Sequence, residues 1–231
     1  MEKTIALYGG AFNPIHWGHL ALALHMQQAL RPERFFLMPS AGSPHKQVDP
    51  ADRVSGEHRL AMCRLAAEEL EKVKREGFSP KDCAAFPLEQ FFPFPEELLP
   101  PLQASGFEVE RGGVSYTVDT LTAFSQRYPG YGLALIMGGD MFLTVDKWRR
   151  AGEIFRLSTL VAAARTPGEQ QRLRQKAQEL KALGARCQVF PFPVLELSST
   201  EIRTRLRAQA PLDGYLPSSV ASYIQTHNLY R

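Results

Sequence analysis

Two histidines three residues apart, His16 and His19, close the run Gly9-Gly10-Ala11-Phe12-Asn13-Pro14-Ile15-His16-Trp17-Gly18-His19. Residues 3–8 before it, with Ile5, Ala6, Leu7 and Tyr8, have the make-up of a short apolar strand. Residues 20–30 after it are rich in Ala and Leu and lack Gly and Pro, which reads as a buried helix. Glycines let a backbone approach a ligand closely. A helix start adds unpaired N–H groups and the positive end of a dipole, and histidines three apart there can face one side. Strand, Gly-rich turn and helix in this order suit the binding and transfer of phosphate. A lone Gly-Gly is most often only a tight turn, and a lone histidine on an apolar helix is usually a satisfied core residue. The whole eleven-residue string is far more particular. It is not a G-x-x-x-x-G-K-[ST] loop, and no G-x-G-x-x-G fingerprint follows the first strand.

A second group lies near the other end of the chain. In Leu197-Ser198-Ser199-Thr200-Glu201-Ile202-Arg203, Ser198 and Glu201 have capping-box spacing, which fixes a helix start. Ser199 and Thr200 add hydroxyls there and Arg203 follows one turn on, a second anion site. Capping explains Ser198 and Glu201 but does not require Arg203. Lys46, in the loop of residues 40–46, becomes a phosphate-ligand candidate because that loop follows a strand's carboxyl end. Asp140 ends the strand of residues 133–137 through Gly138-Gly139. It suits a ribose hydroxyl or a metal, or equally the cap of a helix beginning near Met141. Trp148, flanked by cations, could stack on an aromatic ring or be simply half-buried.

The elements that must hold these residues alternate. Strands are expected at residues 34–39, 133–137, 159–164 and 186–190, and a short one at 107–110. Helices are expected at 57–73 and from Val118 to near Pro129-Gly130, the latter capped by Ser115 or Thr117, with a solvated outer helix at 169–183 and a closing helix at 216–230. Such alternation predicts an α/β fold, a Rossmann-like doubly wound parallel sheet with helices on both faces and ligands beyond the strand C-termini. Arg59, at the start of the 57–73 helix, reads best as a surface charge. Residues 74–106 break the pattern with five phenylalanines among prolines, an irregular or partly helical insertion within a single domain of residues 1–231. Those rings could cover the core, close the site or make a homo-oligomer contact.

At 231 residues, 44% hydrophobic and 22% charged, the chain has the composition of a globular domain with a substantial core. A net charge of +3 is too small to argue for nucleic acid or a membrane as partner. Cys63, Cys83 and Cys187 are too few and too scattered for a disulfide framework or a zinc site. No apolar run suits a signal peptide or a membrane span, so a cytoplasmic location is expected.

The H-x-G-H string and S-S-T-x-I-R resemble the nucleotidyltransferase superfamily. The chain further resembles the bacterial nicotinate-mononucleotide adenylyltransferases in Ser115-Tyr116-Thr117-Val118-Asp119-Thr120-Leu121 and in Asp140 with Trp148. Pro44-His45-Lys46 and Tyr223-Ile224-Gln225-Thr226-His227 add to this. Ala11 and Asn13 depart from that family, where a hydroxyl residue and Asp are frequent. The resemblance implies adenylyl transfer from ATP to nicotinate mononucleotide, with Mg²⁺ arriving on ATP and no metal site in the protein. It implies that His16, His19, Ser199, Thr200, Arg203 and Lys46 meet phosphates and that Gly9, Gly10 and Phe12 line the nucleotide cleft. Thr117, Asp140 and Trp148 would serve the mononucleotide, Trp148 on the pyridine ring and Thr117 near its carboxylate. Rival readings are an enzyme preferring nicotinamide mononucleotide, one acting on phosphopantetheine, and a nucleotide-binding regulator without catalysis.

Overall fold

Side chains alternate between the faces of a strand, and in β1 (Thr4–Gly10) both sets are apolar. Ala6 and Tyr8 enter one core cluster, Ile5 and Leu7 the other. A strand buried on both faces belongs in the middle of a parallel sheet, and β1 lies there. The computed structural model describes residues 3–42, 52–92, 99–192 and 195–230. Its other strands are β2 (Arg34–Pro39), β3 (Leu102–Ala104), β4 (Gly132–Met137), β5 (Ser158–Ala164) and β6 (Arg186–Pro191). They run β3-β2-β1-β4-β5-β6 with every pairing parallel. The fold is therefore the expected Rossmann-like α/β sheet. Strand order reverses beside β1, so a crevice opens beyond the carboxyl ends of β1 and β4.

The first face is covered by α1 (Trp17–Leu30) and α2 (Gly56–Glu76), through Leu24, Met26, Met62 and Leu70. Between β3 and β4 come α3 (Phe107–Arg111) and α4 (Thr117–Arg127). Next in the chain are α5 (Gly139–Phe142), α6 (Ala151–Leu157) and α7 (Pro167–Ala182). Val118, Phe142, Ile154 and Leu173 from these fill the second face. In α7 the inward residues are Leu173, Ala177 and Leu180, as its spacing predicts. The last two helices, α8 (Ser199–Arg207) and α9 (Ser218–Thr226), return to the first face through Ile202, Val220 and Ile224. No helix among the described residues is long and apolar enough to cross a membrane.

Four expectations need correction. Residues 107–110 are helical, not a strand. Phe107 and Val109 imitate strand alternation, but Glu110 N–H bonds to Gly106 O, and the buried Glu108 carboxylate accepts the Thr120 hydroxyl at 2.6 Å. The start of α4 is not capped by Ser115 or Thr117. Tyr116 holds the cap position without a side-chain bond, while Ser115 Oγ accepts the Ala41 N–H at 3.0 Å. Asp140 is not a cap either, since α5 begins one residue earlier behind Gly138. Arg59 is no surface charge, being 6% exposed.

The Phe/Pro-rich stretch contributes β3 to the sheet edge and a 3-10 turn at Leu88–Gln90. Phe78 and Phe92 meet the buried Trp17 ring edge-on at 5.3 and 5.7 Å. Phe86 meets Tyr215 at 5.3 Å. Beside it Gly214, at φ +81°, lets the chain approach Ala85 so closely that a Cβ would lie 2.5 Å from its nitrogen. The Phe78 and Phe92 rings cover Trp17 at the start of α1. Phe94 lies outside the described residues.

Candidate active site

The turn after β1 is built around a ring that folds back on itself. Phe12 is left-handed, at φ +46°, a conformation rare for a bulky residue. Its ring lies over Gly10, where a Cβ would sit 2.9 Å from Cζ, so any side chain there would displace the ring. Gly9 differs, since no heavy atom lies within 4 Å of its missing Cβ and the space above it is open. Phe12 then meets Tyr8 and His19 edge-on at 5.3 and 5.1 Å. The Asn13–Pro14 peptide is cis.

His16 caps α1. Its Nδ1 accepts the His19 N–H at 3.3 Å, which puts the ring proton on Nε2. Burial holds its pKa well below the ordinary histidine range, and the charges of His19 and Arg165 push it further down. His16 is therefore a neutral donor. The rings of His16 and His19 stack at 3.7 Å. This fold-back explains the glycine between them: a Cβ on Gly18 would lie 3.1 Å from His16 Nδ1 and Cε1.

The second predicted anion site docks directly on this turn. Ser198 Oγ accepts the Glu201 N–H at 3.1 Å and caps α8. Ser199 Oγ donates to Pro14 O at 2.9 Å. Arg203 donates through Nη1 to Asn13 O at 2.9 Å and through Nη2 to Thr200 Oγ1 at 3.2 Å, and its Nε lies 3.0 Å from an Asp52 carboxylate oxygen. Asp52 also pairs closely with Arg207. Asn13 is bonded on both side-chain atoms, Nδ2 donating to Asp52 O at 2.9 Å and Oδ1 accepting the Tyr230 hydroxyl at 2.7 Å. Aspartate at position 13 would lack the donor for the first bond.

Both groups open into one cleft of about 860 Å³ at the predicted sheet edge. Gly9, Gly10, Phe12, His16, His19, Ser199, Thr200, Arg203, Thr117, Asp140 and Trp148 all line it. Asp140 is exposed there, Trp148 half-buried, and Thr117 opens α4. Arg149, beside Trp148, lies 4.5 Å over the Tyr116 ring. Lys46 lies outside the described residues. Sequence reading missed Asp52, Tyr230 and Arg165. A signal existed only for Arg165, which follows the carboxyl end of β5 as Lys46 follows that of β2.

The turn after β1 and the start of α8 are packed against each other and line one cleft at the switch point of the parallel sheet, where ligands of open α/β sheets bind. The chain belongs to the cytidylyltransferase-like family, which matches residues 7–205. Within it, the chain is 34% identical to a Roseiflexus sp. protein called "Probable nicotinate-nucleotide adenylyltransferase", over 100% of this chain and 99% of that one. An Acidithiobacillus ferrooxidans protein of the same name is 32% identical, with 100% and 97% covered. A solved structure of Plasmodium falciparum nicotinic acid mononucleotide adenylyltransferase complexed with NaAD shares the fold. Its TM-score is 0.67 at 16% identity, with 99% of this chain and 97% of that one covered.

Proposed function

We propose that this protein transfers the adenylyl group of ATP to nicotinate mononucleotide, giving deamido-NAD and pyrophosphate in NAD biosynthesis. Full-length similarity to proteins carrying that name supports the reading. The observation that carries it in the structure is the stacked His16–His19 pair sharing one cleft with Ser199, Thr200 and Arg203.

The attacking group is a phosphate monoester whose second pKa is about 6, so it is already mostly dianionic near neutrality. Its oxygen bonds to the α-phosphorus, the bond to the β-phosphate oxygen breaks, and pyrophosphate leaves with that electron pair. No strong base is needed; charge crowding and alignment set the barrier. His16 donates its Nε2–H to a phosphate oxygen without adding charge, and His19 lies against it on the same helix start. Arg203, braced by Asn13 and Asp52, offers its remaining N–H groups to the triphosphate from the other side. Gly9 leaves room for the nucleotide, Asp140 takes a ribose hydroxyl, and Trp148 with Thr117 receives the pyridine ring. Lys46 joins the phosphate ligands. Mg²⁺ enters as part of the ATP substrate, bound through phosphate oxygens and water.

Chromatography of the purified protein incubated with Mg·ATP and nicotinate mononucleotide tests the proposal. Deamido-NAD formed in step with ATP consumption is the expected result. ATP left intact by the folded protein would refute it.

A further inference from the structure

Arg59 lies at the first turn of α2, far in sequence from the phosphate turn, yet its guanidinium is packed among main-chain carbonyls. Nη1 donates to Ala11 O at 2.7 Å. Nη2 donates to Ser40 O at 2.6 Å and to Ala41 O at 3.2 Å, and Nε donates to Val54 O at 3.2 Å. Ala11 belongs to the turn after β1, and Ser40 and Ala41 follow the end of β2, so one side chain ties two neighbouring strand ends at the lip of the cleft. A guanidinium always carries its charge and offers donors in a rigid fork. Bonds to a buried charged donor are stronger than neutral ones.

The carbonyl that Arg59 holds on the turn immediately precedes Phe12, the residue kept at φ +46°. Left-handed backbone in a phenylalanine persists only where its surroundings over-determine it. Here the Ala11 carbonyl is fixed from behind, and the Phe12 ring is fixed in front by Gly10, Tyr8 and His19. We propose that Arg59 is a positioning residue for transfer: by gripping Ala11 O it sets the Phe12 conformation, and the Phe12 ring sets the orientation of His19. This rests on the reading of His19 as a phosphate ligand.

Arg59→Lys separates the two possibilities, because lysine keeps the charge but is a point donor that cannot reach carbonyls on both strand ends at once. The folded variant should lose roughly tenfold or more in kcat with the KM for ATP changed less than about threefold, the pattern of a transition-state contact out of place. Without substrate, the ring NMR signals of His19 should move, since it lies edge-on to Phe12. Phe12→Leu, which leaves Arg59 untouched, should lower kcat and move the same signals. A residue that only stabilises the fold would lower the melting temperature and leave both readouts alone. A folded Arg59→Lys protein with wild-type kcat, or with His19 signals unmoved, overturns the proposal. Should Arg59→Lys not fold, Phe12→Leu with wild-type kcat and unmoved His19 signals overturns it. The NMR arm needs no acceptor. If the wild type shows no transfer, the acceptor assignment fails, while moved His19 signals would still uphold the relay from Arg59.

Discussion

His16 and His19 share one helix start but are placed differently. His16 is buried, neutral and spends Nδ1 on the cap of α1. His19 is partly open to the cleft, between His16 and Phe12. His19→Ala should therefore lower kcat by roughly a hundredfold or more while the fold persists, as expected for loss of a transition-state contact. Steady-state kinetics beside a thermal melt measure both, and an unchanged kcat would remove His19 from the reaction. His16 has a stability signature as well. Its folded pKa lies below the unfolded value of about 6.5, so between the two the unfolded chain binds a proton that the native one refuses. Stability then rises with pH across that window and is lost as pH falls below about 6.5. Urea unfolding at pH 7.5 and pH 5.5 should show a smaller acid loss in His16→Gln than in the wild type. Equal losses would mean that His16 protonates freely in the native state.

At the scale of elements, chemistry is positioned by turns that glycines permit. Gly18 lets the His16 ring fold back to cap the helix it begins, and Gly10 leaves room for Phe12. Gly18→Ala should divide stability from activity. Alanine favours the helix by up to about 1 kcal/mol, whereas its Cβ would lie 3.1 Å from the His16 ring. Its melting temperature should stay near wild type while kcat falls roughly tenfold or more. Wild-type kcat in the folded variant would show that the ring can shift without consequence. These two helix starts were legible in the sequence because capping and phosphate-turn signals are local, and so were the long apolar strands. The short edge strand β3 was not, since three residues between prolines and Ser105 carry no period. Helix α3 was hidden by an i, i+2 pattern whose meaning depended on Glu108 reaching Thr120.

The whole molecule brings together residues from opposite ends of the chain. Pro14 meets Ser199, Asn13 meets Arg203, and Tyr230 closes on Asn13. The motifs announce that the first two groups matter, but no sequence signal announces Tyr230 or Asp52, because their roles arise only when α8 and the chain end fold back onto Asn13 and Asp52. Arg59 illustrates the same limit. One charge at a helix start reads as solvent-facing, and its burial is decided by carbonyls at residues 11, 40 and 41. The Phe/Pro-rich stretch likewise gains meaning from Trp17, the partner that Phe78 and Phe92 cover.

The proposed reaction is adenylyl transfer to a pyridine mononucleotide bearing a carboxylate. Initial rates of pyrophosphate release with Mg·ATP, comparing nicotinate and nicotinamide mononucleotide, test it most directly. Turnover of the nicotinate form faster by tenfold or more, about 1.4 kcal/mol in the barrier, is the expected result. Equal rates, or no release with either acceptor, would contradict it.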